Sequence, residues 1–324
     1  MPWRIPGAHR VRPLAVAAAV LAAAMVLSVS GAGSAAVGVP EPDPRRLESL
    51  LSGHDLPLVP FAPVTAPATG GSPLTPEDRA DLTARIDALV AASGADAGVA
   101  VQDLRTGAAY GYRAHEPVYT ASVVKLSLVA MLLARAREEG RELTPGERAQ
   151  AEEVIRYSDN DLTDALYQSN GFTDGFMAGT RAFGLRGTEP NPVGVWGATR
   201  TTAADQLRLL RALYTDDSPL AEEDRAFVRG LMEEVAPEQA WGVSAAAGPE
   251  DTVGVKNGWT PRESNGGRWN VNSVGFVAGP EREYLVAVLT DGNSDYVGGV
   301  GLVEDLVRLV TGALEGTPAE EVGR

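Results

Sequence analysis

The stretch TASVVKLSLVAMLL, residues 120–133, is the most informative part of the chain. It opens with small and polar residues and continues as an apolar helix, in which Lys125 is the only charge between Pro117 and Ala134. Apolar residues on all sides of a helix indicate that the helix is buried. Ser122 and Lys125 are three positions apart, so a helix places both side chains on one face.

This Ser-x-x-Lys pattern has two interpretations. In the first, Ser122 caps the helix and Lys125 extends its amine to solvent. In the second, burial lowers the pKa of Lys125, so that its amine can act as a base for the Ser122 hydroxyl, while the helix N-terminus supplies N–H donors near the reacting centre. The motif alone does not separate them.

Two further motifs follow along the chain. Ser158-Asp159-Asn160 suits a helix start, and Lys256-Asn257-Gly258 ends a strand-like segment that enters a turn. In chain order, S-x-x-K, S-D-N and a K-[TS]-G-like triplet form the signature of class A β-lactamases and penicillin-binding proteins. The chain resembles this serine acyltransferase superfamily over residues 74–314.

The resemblance implies four catalytic residues. Ser122 is then the nucleophile and Lys125 its base or proton relay. Ser158 passes a proton to the leaving nitrogen, and Lys256 orients Ser158 and the substrate carboxylate.

The resemblance also implies four substrate-binding residues. Asn160 binds the substrate amide, and the third motif contributes Asn257, Gly258 and Trp259. The backbone N–H groups of Ser122 and Trp259 form the oxyanion hole, in which each donor contributes a factor on the order of 10²–10³ in rate.

The sequence departs from the family pattern in three places. Asn257 replaces the usual threonine or serine, which puts the substrate preference in question. Only 36 residues separate Ser122 from Ser158, which predicts a shortened helical lobe and an open cleft. The Glu-x-x-x-Asn pattern of class A enzymes is absent, since Glu189 precedes Asn191 by two positions. We therefore expect slow hydrolysis of an acyl-enzyme, with Glu189 as a candidate deacylation residue or an exposed loop acid.

The order of predicted elements is one helix, two strands, several helices, three strands and one helix. A helix begins at Thr75-Pro76 and ends at Ser93-Gly94, followed by a hairpin over 98–104 and 108–113. Strands are predicted over 252–258, 269–278 and 284–290, and a helix over 300–310. The pattern predicts an α+β fold, a three-layer α/β/α sandwich. Its antiparallel five-stranded sheet is packed by the terminal helices, beside an all-α lobe.

The N-terminus predicts export. Three arginines precede an uncharged apolar run over residues 14–29, which is too short to span a bilayer comfortably, although an uncleaved anchor remains an alternative. We expect a signal peptide over 1–36, a proline-rich tether over 37–73, the serine hydrolase domain over 74–315 and a C-terminal tail over 316–324. The expected location is secreted or associated with the cell envelope.

Composition excludes several function classes. The net charge is −15, and removing residues 1–36 takes away three arginines and no acids, which makes it −18; nucleic-acid binding is therefore disfavoured. The chain has no cysteine and no H-E-x-x-H motif, so we expect no metal and no cofactor. His115 is the only histidine beyond the tether, and no G-x-S-x-G surrounds Ser122, which argues against a Ser-His-Asp hydrolase.

The predicted function is acyl transfer through a Ser122 acyl-enzyme. Its substrate is a small molecule or peptide, such as a β-lactam, a cell-wall-peptide-like amide or an ester, and a monomer is favoured. The alternative is a catalytically weak or inactive module that binds cell-wall peptides or a partner through the same cleft. Other candidates are aromatic residues that line the cleft or pack in the core, and two arginines that meet a substrate carboxylate or stay exposed in a hairpin: Trp196, Trp241, Trp259, Arg262 and Arg268.

Overall fold

A five-stranded antiparallel sheet joins the two ends of the folded chain in this computed structural model. The structure describes residues 74–280 and 282–315, which all belong to one compact unit. The predicted signal peptide, tether and tail lie outside the described residues. None of the described helices is both long and apolar enough to cross a bilayer.

The sheet has the order β2-β1-β7-β6-β5. Strand β1 pairs with β7 from Asp96 opposite Asp291 to Asp103 opposite Tyr284, so the early hairpin and the late strands form one sheet, as predicted. The five strands are β1 (Asp96–Asp103), β2 (Ala109–Tyr112), β5 (Thr252–Arg262), β6 (Arg268–Ala278) and β7 (Glu283–Asn293).

The terminal helices cover one face of this sheet. Helix α1 (Pro76–Ser93) starts with a capping box between Thr75 and Asp78 and ends at Gly94, whose left-handed backbone (φ 64°) closes the last turn. Helix α8 (Tyr296–Glu315) packs beside it. Alternate sheet residues point into this layer, among them Val99, Val101, Val286 and Val288.

A lobe of six helices covers the opposite face. Its central helix α2 is buried on all sides, and sheet residues such as Ala100, Phe276 and Leu285 pack toward it. Thr144 and Thr202 each accept a backbone hydrogen bond at the start of a helix. The three-layer architecture is thereby confirmed. The helices are α2 (Val124–Glu138), α3 (Pro145–Glu152), α4 (Asn160–Ser169), α5 (Phe172–Ala182), α6 (Ala203–Tyr214) and α7 (Glu222–Glu233).

The loop between α5 and α6 is fixed at both ends. Near its start, the buried carboxylate of Asp205 accepts hydrogen bonds from Gly187 N (2.7 Å) and Thr188 Oγ1 (2.8 Å). At its end, a two-stranded ribbon of β3 (Val118–Tyr119) and β4 (Arg200–Thr201) ties the loop to the segment that leads into α2. The loop therefore has a defined position beside the start of α2.

Strand β7 ends at Asn293, three residues after its predicted end, and two other elements are also longer than predicted. Strand β5 continues beyond Gly258 through Pro261, because β5 is an edge strand and a proline there need not interrupt the ladder. Helix α8 starts at Tyr296, four residues before the predicted position. Its glycines have low helix propensity, so the sequence does not indicate the first turn of this helix. Gly299 nevertheless permits close packing, since a Cβ there would lie 2.5 Å from Val271 Cγ2.

Strand β5 runs directly against the turn that carries Ser122. A Cβ atom on Gly258 would lie 2.7 Å from three backbone atoms, Ser122 N, Thr120 O and Val123 N. A side chain at position 258 therefore cannot fit unless the strand or the turn moves. Glycine is required here by the close approach of two backbones.

We expect Gly258→Ala to lower the free energy of unfolding by about 1–3 kcal/mol, because its methyl group must push β5 from the turn. Urea unfolding measures this change. The matched control is Gly301→Ala on α8, where a Cβ meets no atom within 4 Å. That variant should be neutral or stabilised by up to about 1 kcal/mol, since alanine restricts the unfolded chain. Equal effects of the two substitutions would contradict the close approach.

Candidate active site

Ser122 lies in a short 3₁₀ turn, Ala121–Val123, directly before α2. It lines a cavity of about 470 Å³ between the helical lobe and β5, together with Tyr119, Asn160, Trp196, Trp259 and Arg262. Another cavity, of about 530 Å³, is lined by residues of α6 and β2 but by no residue of the three motifs. Chemistry, not volume, therefore identifies the candidate site.

Lys125 is fully buried beneath the cavity. Its Nζ donates hydrogen bonds to Ser158 O (2.6 Å), Ser158 Oγ (3.1 Å) and Asn160 Oδ1 (2.8 Å). The interpretation in which Lys125 extends its amine to solvent is therefore wrong, because the side chain is buried. The three N–H donors of an ammonium are matched by three oxygen acceptors.

Lys256 reaches the same hydroxyl from the opposite side. Its buried Nζ donates to Ser158 Oγ (3.1 Å) and to the carbonyl oxygen of Asn257 (3.1 Å). The Ser158 hydroxyl thus lies between two lysine amines. Among the described residues, no carboxylate comes within ion-pair distance of either amine.

Burial lowers the pKa of both lysines. For Lys125, burial is the main cause and brings the pKa to about 8, although the negative charges of Asp159 and Asp164 oppose the shift. For Lys256, burial and the nearby positive charge of Lys125 hold the pKa well below its ordinary value. Two neighbouring buried amines repel each other when both are protonated. One of them is therefore available as a base near neutral pH.

The backbone at both serines is strained. Ala121 and Ser158 have positive φ angles, 44° and 59°, in a region that costs a non-glycine residue about 1–2 kcal/mol. A π-helical turn, Glu153–Tyr157, leads into Ser158. Such strain persists only where the surroundings fix the residue, and it concentrates at functional sites.

The Ser-Asp-Asn motif performs structural and site functions at once. Asp159 is the N-cap of α4, because its carboxylate accepts the N–H of Leu162 at 2.7 Å. Ser158 and Asn160 face Lys125 instead. The capping interpretation of the motif therefore applies to Asp159, whereas Ser158 and Asn160 are the residues that face the candidate site.

The third motif is split between two faces of β5. Lys256 and Gly258 face the Ser122 turn, whereas the Asn257 amide donates to Gln239 O (2.7 Å) and Trp241 O (3.0 Å). The Asn257 side chain therefore binds the backbone of the segment before β5, and its role in substrate binding stays a prediction. Trp259 lines the cavity and packs on Trp241 and Tyr296, with ring centroids 5.8 and 5.5 Å away.

The remaining candidates lie outside the reacting centre or have other partners. Glu189 and His115 are exposed and do not line the cavity; Glu189 pairs through its backbone with Arg200. Arg262 lines the cavity, pairs with Asp291 and stacks on Tyr119 at 3.8 Å. Arg268 donates to two backbone carbonyls, Gly94 O and Gly292 O, and is not an exposed hairpin residue.

The sequence indicates Trp196 as a cleft candidate, and it lines the cavity, but its contact with Lys125 and the nearby Asp164 were not predicted. The ring of Trp196 lies over the amine, with its centroid 5.0 Å from Nζ, and Trp196 Nε1 donates to Asp164 Oδ1 at 2.5 Å. A simple signal for the site itself was also available. Of the 28 basic residues, only Lys125 and Lys256 are lysines, and the rest are arginines.

Because the chain has only two lysines, their titration can be observed directly. We expect NMR of protein labelled with ¹³C-lysine to show two ε-methylene signals, with that of Lys125 titrating near pH 8 because of burial. Lys125→Arg assigns the signals. Titration of Lys125 at the ordinary value of 10.5 would contradict its buried environment.

Comparisons with known proteins identify the family and the fold. The sequence profile described as the β-lactamase enzyme family matches residues 81–150 and 148–314. A protein of Mycobacterium tuberculosis named "Putative lipoprotein LppW" is 29% identical over 203 residues, 61% of this chain and 64% of that protein. The match thus spans less than two thirds of that relative.

Solved structures show the same fold. The ancestral GNCA class A β-lactamase superimposes with a TM-score of 0.61 at 23% identity, over 72% of this chain and 99% of that one. The TLA-1 extended-spectrum β-lactamase gives 0.64 at 14% identity, over 73% and 99%. At these identities, the structures establish the class A β-lactamase fold, and the sequence profile establishes the family. With its serine, its two buried lysines and this match over most of its length, the chain belongs to the β-lactamase enzyme family.

Proposed function

We propose that the protein is an exported serine acyl-transfer enzyme that forms an acyl-enzyme at Ser122. Its substrates are β-lactams or amides that resemble cell-wall peptides. One observation carries the proposal: two buried lysine amines converge on the Ser158 hydroxyl beside a serine that lines a cavity. Burying two amines without a carboxylate partner costs stability, and a module that only binds has no physical need of them.

Acylation follows from these positions. Neutral Lys125 takes the proton of the Ser122 hydroxyl while Oγ forms a bond to the substrate carbonyl carbon. In the described structure, Ser122 Oγ makes no hydrogen bond, so it is free to rotate toward the substrate. We expect the N–H groups of Ser122 and Trp259 to stabilise the developing oxyanion, which the close approach of Gly258 to Ser122 N supports.

The leaving nitrogen needs a proton when the amide bond breaks. Ser158 supplies that proton from its hydroxyl and recovers one from the lysines on either side, both 3.1 Å away. Lys256, which Asn257 O also holds, keeps the Ser158 hydroxyl oriented. Asn160 shares Lys125 with Ser158 and borders the cavity, which suits it to bind the substrate amide.

Export is the second part of the proposal. The N-terminal apolar run supports it, and so does the mycobacterial relative, whose name describes a lipoprotein. The fate of the acyl group is set by what can activate water. Because Glu189 does not line the cavity, we expect the acyl-enzyme to persist.

The test is a time course of intact mass after mixing the protein with a penicillin, a cephalosporin or an activated ester. We expect one acyl adduct per chain, absent in Ser122→Ala because that variant lacks the nucleophile. Ser264→Ala, which removes another serine from the same cavity, should be acylated at the wild-type rate. Acylation should also accelerate with pH up to about 8, as Lys125 loses its proton.

An adduct that survives Ser122→Ala would contradict the assignment of the nucleophile. No adduct with any of the acyl donors would contradict acyl transfer and support the binding module. An adduct that clears within seconds would identify a rapid β-lactamase instead of a slow acyl-enzyme.

A further inference from the structure

The indole ring of Trp196 covers one side of the Lys125 amine. The three N–H donors of that amine are used by Ser158 and Asn160, and the indole ring covers another side, with its centroid 5.0 Å from Nζ. Lys125 consequently has no exposed surface, although Ser122, one helical turn away, borders the cavity.

The position of the ring is fixed by two independent restraints. The indole N–H donates to Asp164 Oδ1 at 2.5 Å, which ties the ring to α4, the helix that also carries Asn160. The loop behind the ring is held by Asp205 at one end and by the β3–β4 ribbon at the other. The ring therefore has a stable place over the amine.

Hydrolysis of an acyl-enzyme needs a water molecule that touches both the acyl carbon and a base. Lys125, three residues after Ser122, is the candidate base, whereas Glu189 is exposed and does not line the cavity. The water would give a proton to neutral Lys125 and form a bond to the acyl carbon. The bond from that carbon to Ser122 Oγ would then break, and the ammonium would return the proton to Oγ. With the indole in place, no water reaches the amine.

We propose that Trp196, held by Asp164, is a positioning residue that keeps water away from Lys125 and so prolongs the life of the Ser122 acyl-enzyme. This inference rests on the proposed function. It predicts that loss of the ring creates a hydrolytic enzyme from one that retains its acyl group.

The experiment measures formation and decay of the adduct separately. The protein is acylated with a penicillin, freed of excess drug by rapid desalting, and followed by intact mass. In Trp196→Ala, we expect decay to accelerate by at least about tenfold, because a positioned base contributes on the order of 10²–10⁴ once water can reach it. Trp196→Phe keeps a ring but loses the hydrogen bond to Asp164, so its adduct should decay faster than that of wild type but more slowly than that of Trp196→Ala.

Two further variants distinguish the effect of the ring's position from general damage to the site. Asp164→Ala leaves Trp196 present but releases it from α4, so decay should accelerate even if Trp196→Ala folds poorly. Val193→Ala is the matched control, because Val193 is an exposed residue of the same loop that does not line the cavity. Its adduct should decay as in wild type. A purely structural role cannot explain a faster second step, since damage to the site slows both steps.

The outcomes separate the inference from the function on which it rests. Faster decay in Trp196→Ala, Trp196→Phe and Asp164→Ala, with unchanged decay in the Val193→Ala control, supports the inference. Adducts that form in all variants and decay at one rate would overturn it and leave acyl transfer intact. Absence of an adduct on wild type and on every variant would overturn the proposed function and the inference together.

Discussion

The burial of two lysine amines is the constraint on which the rest of this site depends. An ammonium removed from water needs oxygen acceptors on every N–H or must lose its proton, and Lys125 and Lys256 combine both solutions around Ser158. The strained backbone at Ala121 and Ser158 positions the acceptors and the nucleophile around these amines. The fold provides the rigidity: α2 is buried on all sides, and β5 lies against the Ser122 turn.

Local signals in the sequence predict much of this structure. Thr75, Thr144 and Thr202 mark helix starts because a hydroxyl that accepts a backbone N–H is a short-range interaction. The hairpin and the three late strands follow from alternation and turn residues. The motifs also bring Ser122 and Asn160 to one cavity, because each motif is tied to a specific helix or strand end.

Long-range contacts are where prediction from sequence failed. The contact of Trp196 with Lys125 links a loop without periodicity to a helix 71 residues earlier, and nothing local encodes it. Asn257 was interpreted through its motif, yet its amide bonds to the carbonyls of Gln239 and Trp241 on the far side of the strand. These contacts depend on how the sheet and the helices pack together, which the periodicity of the sequence does not indicate.

The restriction of lysine to two buried positions has a consequence for how this protein meets proteases. Arginine supplies every other basic side chain, and a guanidinium, unlike a lysine amine, cannot lose its proton in a protein. A protease that cuts only after lysine therefore has two cleavage points, both sealed within the core. Such a protease would therefore cleave only those molecules in which the core around Lys125 and Lys256 has unfolded.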